Sequence, residues 1–162
     1  MPDETLHGRQ FECVEQALNR TGYVQYELTN FARPGFESRH NMIYWENREY
    51  LGLGPGAFSY MKGVRYQFAP DVKRYLEKCE AADWQADTED ILTEEKKEIE
   101  TLLTGLRLKR GIGLEQFTII RGHLEKQAAK LDGLVERRGN TLSLARRGRF
   151  LAETVFQELI QE

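Results

Sequence analysis

Cysteine is scarce. The chain of 162 residues has two, Cys13 and Cys79, far apart and in no CxxC or Cys/His grouping. That spacing gives them no metal site of their own, and they read as reduced thiols of a cytosolic protein. Long apolar runs are missing as well: no stretch approaches the roughly 18 residues that a membrane helix requires, which excludes an integral membrane span. The opening residues Met1-Pro2-Asp3-Glu4-Thr5-Leu6-His7-Gly8 have neither the basic n-region nor the apolar h-region of a secretory leader. Charge of one sign is not in excess either. Lys and Arg number 23 against 26 Asp and Glu, a net −3 that gives no global attraction to nucleic acid. No internal repeat or low-complexity tract occurs. Nor does a Ser-His-Asp set, a pair of carboxylates or a zinc spacing stand out, so no self-sufficient active site is expected.

What the sequence does contain is enough apolar material for a packed core, 40% hydrophobic and 10% aromatic, in one ordinary domain or two small ones. Composition divides the chain near residue 81. All seven tyrosines lie between Tyr23 and Tyr75, joined there by Phe31, Phe36, Phe58, Phe68 and Trp45. Such a concentration suits a β-rich core built from aromatic strand formers, or stacking surfaces for a planar ligand. From Asp83 to Glu100 the chain is acidic, with eight Asp and Glu against Lys96 and Lys97. From Gly105 to Arg149 it is basic, with eleven Lys and Arg against Glu115, Glu125, Asp132 and Glu136. The weakly periodic stretch from Ala81 to Thr88 is the natural boundary, giving units 1–82 and 83–162.

Periodicity predicts an α/β arrangement for the first unit. A helix is expected over Leu6–Arg20, with Phe11, Val14, Ala17 and Leu18 on one face and Thr21-Gly22 as its stop. Strand-like runs follow at Tyr23–Leu28 and Tyr50–Gly54, with a Pro34-Gly35 turn between them, and a helix over Asp71–Cys79 closes the unit. The second unit is expected to be mostly helical. Thr93 is a good N-cap before Glu94 and Glu95. Leu92, Ile99, Leu102, Leu103 and Leu106 mark a buried stripe that Gly111-Ile112-Gly113 ends. Leu114–Ile120 and Leu124–Leu131 read as two short helices. Leu134–Leu144 reads as a hairpin with positive φ supplied by Gly139-Asn140. A terminal helix then offers Phe150, Leu151, Val155, Phe156 and Leu159 to the core. Helices followed by a two-stranded wing amount to winged-helix architecture.

Three constellations could carry chemistry. Gly52-Leu53-Gly54-Pro55-Gly56-Ala57 places three glycines where backbone amides could approach a ligand, although it is neither a Walker A loop nor a GxGxxG fingerprint. The same glycines could simply permit a bulge or close packing. In His40-Asn41-Met42-Ile43-Tyr44-Trp45 the imidazole could ligate iron and the Tyr and Trp flank a planar ring, or the residues could serve a turn and a core. The basic stretch 105–149 with its wing could contact phosphates through Arg137, Arg138, Arg146, Arg147 and Arg149. Its mixed helix His123–Lys130 favours a solvated or docking face instead.

Taken in order, Gly22-Tyr23 with Tyr26-Glu27-Leu28-Thr29-Asn30-Phe31-Ala32-Arg33-Pro34-Gly35, then His40–Trp45, then Tyr50–Ser59, resemble one family. It is that of the oxygen-independent coproporphyrinogen III oxidase-like radical SAM proteins, in the branch regarded as haem chaperones. Gly113-Leu114 with Phe117, and Gly133-Leu134-Val135 through Gly139–Leu144, resemble that family's C-terminal domain. The resemblance implies the end of a partial (β/α) barrel followed by a winged-helix-like cap, and a role in porphyrin or haem metabolism. It also implies S-adenosylmethionine, a [4Fe–4S] cluster and haem in the full-length parent. The family's CxxxCxxC motif is absent here, so the chain is expected to be a C-terminal fragment, inactive by itself and binding no cofactor tightly. By the same resemblance, Gly54, Gly56, Ala57 and Phe58 fall beside S-adenosylmethionine, with Phe58 standing where the family often has His. His40, Asn41, Tyr44 and Trp45 match a signature proposed for haem binding, His40 as axial ligand and metal contact, Tyr44 and Trp45 as pocket walls. Expected partners are haem or porphyrin, the missing N-terminal barrel half and a second copy paired through exposed strand edges. Neither nucleic acid nor a membrane is expected. The competing reading is a nucleic-acid-binding winged-helix module fused to a small α/β unit.

Overall fold

Helix α1 (Glu4–Arg20) opens the computed structural model, which describes residues 4–161. Its apolar spacing turns Phe11 onto Phe150, edge to face at 5.3 Å between ring centroids. Val14, on the expected apolar face, is half exposed. The Thr21 hydroxyl donates to the Leu18 carbonyl and Gly22 takes positive φ, which ends the helix as expected. Two short strands follow, β1 (Val24–Gln25) and β2 (Phe31–Ala32), paired antiparallel with Gln25 opposite Phe31.

Helix α2 (Arg39–Trp45) comes next, in a segment where no helix was expected. Ser38 caps it by accepting from the Asn41 amide at 3.3 Å. Beyond it, Tyr50 alone pairs, with Tyr60, while 51–53 is irregular. The expected strand Tyr50–Gly54 is therefore corrected to a single bridge and a loop. The Gly52 amide donates to the Ser59 hydroxyl at 3.0 Å rather than to a ladder carbonyl, and a Cβ there would strike the Phe58 carbonyl, so only glycine fits this close approach. A hairpin of β3 (Phe58–Met61) and β4 (Val64–Gln67) follows, then α3 (Val72–Glu80) capped by Asp71.

Strand β5 (Thr88–Ile91) pairs antiparallel with β4, Val64 facing Ile91. A sheet of order β3-β4-β5 thus reaches across residues 82 and 83. Helix α4 (Glu94–Gly105) carries the expected Thr93 cap. Strand β6 (Ile112–Gly113) stands where a simple helix stop was expected. Of the expected helix 114–120, one 3-10 turn forms over Leu114–Gln116. Helix α5 (Arg121–Ala128), the hairpin β7 (Val135–Arg138) and β8 (Thr141–Leu144), α6 (Arg146–Phe150) and α7 (Ala152–Ile160) complete the chain. The sheet order is β6-β8-β7. The expected single terminal helix is broken at Leu151, and Phe150, 41% exposed, packs on Phe11 outside the buried cluster.

Every strand ladder among the described residues is antiparallel, and no closed barrel forms. The buried cluster lies wholly in the C-terminal half: Leu102, Leu106, Leu114, Phe117, Leu124, Leu142, Val155 and Leu159 meet there. Sequence periodicity named Leu102, Leu106, Val155 and Leu159 among these, because helices that face one core repeat apolar residues every three or four positions. No helix among the described residues is long and apolar enough to cross a membrane.

Candidate functional site

An open groove of about 780 Å³ lies between α2 and the β3–β4 hairpin. His40 and Tyr44 line it from α2, because residues four apart share a helix face. Their rings meet edge to face at 5.0 Å, and Tyr44 meets Tyr50 likewise at 4.7 Å. The His40 side chain stands in solvent at one end of this aromatic row. Leu51, Leu53 and Phe58 line the opposite side and are 67%, 79% and 47% exposed, an apolar surface left open among the described residues. Isolated exposed apolar residues are ordinary on proteins; several facing one groove beside an imidazole point to a ligand.

Arg65 reaches the groove from β4 and is held by Glu100 of α4 through two hydrogen bonds, at 2.9 and 2.7 Å. Its side-chain hydrogen bond to Glu100 keeps the guanidinium charged. Burial pushes the Tyr50 phenol up from its ordinary range, and the nearby Arg65 only partly offsets this. Tyr50 is therefore a neutral phenol at physiological pH, able to donate one proton or accept.

The other residues expected at a site are placed differently. Trp45 is not in the groove. One residue beyond Tyr44 on a helix, it points about 100° away, and its ring lies under the Arg107 guanidinium at 4.4 Å. Asn41 gives its amide to the Ser38 cap. In the glycine loop, the Gly54 amide donates to the Tyr75 hydroxyl at 3.1 Å, and the Gly56 amide to the Phe68 and Ala69 carbonyls. The Ala57 amide donates back to the Gly54 carbonyl. These amides are thus engaged within the chain, and Gly56 serves a positive-φ turn packed on Pro70. What the loop presents to the groove is Ala57 and the Phe58 ring.

Tyr50, Leu51, Leu53 and Arg65 were not among the expected site residues. The Ser38 cap together with the four-residue spacing of His40 and Tyr44 could have revealed α2, and with it the groove. Arg65 carries no local signal, since its partner Glu100 lies on another element.

Cys13 and Cys79 are both free, and no group of three His, Cys, Asp or Glu able to hold a metal occurs among the described residues. The residues described do not fit an iron–sulfur cluster. Of the basic segment, Arg137 pairs with Glu125 at 3.2 Å, Arg138 with Glu136 at 2.8 Å and Arg146 with Glu12 at 3.2 Å.

Comparison with known proteins gives three informative relatives. Heme chaperone HemW of Lactococcus lactis subsp. lactis (strain IL1403) is 38% identical over 117 residues, covering 72% of this chain and 30% of that protein. The protein of that name from Bacillus subtilis (strain 168) is 36% identical over 135 residues, 83% of this chain and 34% of the relative. That from Mycobacterium tuberculosis (strain CDC 1551 / Oshkosh) is 32% identical over 162 residues, 98% of this chain and 40% of the relative. The chain thus spans about a third of the length of these curated relatives. Among solved structures, coproporphyrinogen III oxidase (HemN) from Escherichia coli, a radical SAM enzyme, superposes with a TM-score of 0.68 at 16% identity. The match covers 92% of this chain and 39% of that one, and at such identity it speaks for the fold. No protein-family model matches the chain.

Proposed function

The chain belongs to the oxygen-independent coproporphyrinogen III oxidase-like radical SAM family, in its haem-chaperone branch, and on that footing we propose that it takes haem or a related porphyrin as cargo in the groove beside α2. The observation that carries this reading is the exposed His40 imidazole, set edge-on to Tyr44 at the mouth of an apolar groove. His40 supplies an axial nitrogen, Tyr44 a wall, and Leu51, Leu53 and Phe58 the apolar contact that a macrocycle needs. Asn41 and Trp45 act on the helix rather than on the cargo.

Radical SAM chemistry draws on S-adenosylmethionine and a [4Fe–4S] cluster. The residues described here offer the cluster no ligands, so no step is assigned to it. S-adenosylmethionine would pack against the apolar Ala57 and Phe58, with Gly54 and Gly56 shaping the loop. We assign the part of 83–162 that follows β5 the role of a winged-helix-like cap on unit 1–82, β5 itself lying in that unit's sheet, and the chain a cytoplasmic location. The edge strand β5, exposed at all four residues, is assigned to pairing with further barrel strands or with a second copy.

Titration of the chain with hemin tests the reading. A Soret band is expected whose affinity drops about tenfold or more in His40→Ala, the size of losing one well-formed ligand interaction. Equal binding by wild type and His40→Ala, with both folded by circular dichroism, would remove His40 from the site.

A further inference from the structure

Helix α2 buries none of its seven residues. Its residues Asn41–Trp45 are only half-buried, so side-chain contacts beyond a packed core help to set its orientation. Those contacts gather at its C-terminal end. The Arg107 guanidinium covers the Trp45 ring, Arg110 pairs with Glu46 at 2.5 Å, and the Asn47 amide donates to the Thr101 hydroxyl at 2.9 Å. All three partners come from the C-terminal half.

Arg107 differs from the other two because of what lies behind it. The Glu27 side chain is fully buried. Its Oε1 accepts from the Thr29 amide, the Thr29 hydroxyl and the Asn30 amide group at 2.7–2.8 Å. Its Oε2 accepts no hydrogen bond and faces Arg107 Nη2 at 3.9 Å. Arg107 Nε and Trp45 Nε1 are likewise buried without a partner. The joint is thus held by charge, Glu27 against Arg107, and by the guanidinium lying over the Trp45 ring.

We infer that Arg107 is a positioning residue for the His40–Tyr44 face: wedged between the buried Glu27 carboxylate and the Trp45 ring, it sets the orientation in which α2 presents that face to the groove. This joins the Tyr26–Phe31 motif to the His40–Trp45 motif through a residue of the C-terminal half, and gives that half control of the site. Its consequence for haem rests on the reading above; the joint itself does not. Lysine at 107 keeps the charge that Glu27 requires and loses the flat guanidinium over Trp45, so it separates positioning from charge balance.

Hydrogen exchange and NMR of the whole chain test the inference without any ligand. In Arg107→Lys, amides 42–45 are expected to exchange at least about fivefold faster while α4 and α7 keep their protection. The His40 Hε1 resonance, displaced by the Tyr44 ring, should move toward its free position. Hemin affinity should fall about tenfold, within the range usual for coupling between sites. Trp45→Leu probes the same joint from the other side and should reproduce the exchange and NMR changes if Arg107→Lys fails to fold. Unchanged exchange in α2 and an unmoved His40 resonance in a folded variant of either kind would overturn the inference. Faster α2 exchange in a chain that never bound hemin through His40 would uphold the joint and sink the haem reading instead.

Discussion

Helix α4 buries Leu102 completely, whereas α2 buries no residue fully and leaves Asn41–Trp45 half-buried, although the two helices lie against each other. The difference extends to the regions around them. Residues 102–159 bring their apolar side chains together in one cluster. Residues 36–76 leave Phe36, Leu51, Leu53, Phe58, Val72 and Leu76 substantially exposed. One region uses its hydrophobic residues for stability, the other presents them. Removing a buried side chain and removing a presented one should therefore have opposite signatures, and three substitutions probe that contrast.

The largest effect is expected from Phe117→Ala. Phe117 is 1% exposed at the centre of the cluster, and deleting such a ring leaves a cavity that costs about 3–5 kcal/mol in urea or thermal unfolding. A loss below 1 kcal/mol would mean that the cluster is not the stabilising core.

Next in size is Glu98→Ala. The Glu98 carboxylate accepts from the Thr118 amide and hydroxyl and from the Ile119 and Ile120 amides at 2.8–3.1 Å, tying α4 to the start of α5. Burial alone would raise its pKa, but the donors of Ile120, Thr118 and Ile119 outweigh burial and hold it below the usual range. A carboxylate depressed in the folded state gives stability that is present above its unfolded pKa and is lost as pH falls through the folded one. Glu98→Ala should therefore cost about 1–3 kcal/mol at neutral pH, with the gap to wild type closing in acid. A gap independent of pH would show that the carboxylate is not responsible.

The smallest stability effect belongs to the groove. Leu53→Ser should change unfolding by no more than about 0.5 kcal/mol, since the side chain is exposed and a surface change rarely does more. It should nevertheless weaken hemin by up to about tenfold, the worth of covering one leucine. A large stability loss with unaltered hemin binding would reverse the roles of the two regions.

How much of this was legible follows from how local each interaction is. The caps at Asp71 and Thr93 join a side chain to an amide three residues on, and both were visible in the sequence. So was the β7–β8 hairpin, whose Gly139 takes positive φ, although Asn140 does not share it. Strand β5 was not visible. Thr88-Glu89-Asp90-Ile91 has no apolar alternation, and only its pairing with Val64–Gln67 makes it a strand. At the site, His40 and Tyr44 were recognisable as residues, but their partnership depends on a helix that the aromatic-rich segment disguised. Trp45 was assigned to the same wall because sequence adjacency hides a turn of about 100° about a helix axis. Glu27, a charged residue in a strand-like run, gave no hint that its side chain would be fully enclosed and set against Arg107.

The most direct test of the division between presenting and packing regions is paramagnetic broadening of backbone amide resonances as ferric haem is added to the chain. The signals of His40, Tyr44, Leu51, Leu53 and Phe58 should broaden first, while those of Leu114, Leu124, Val135 and Leu142, which line a second cavity of about 300 Å³ between α5 and the β7–β8 hairpin, stay sharp. Broadening confined to the second set, with the groove unaffected, would contradict the account.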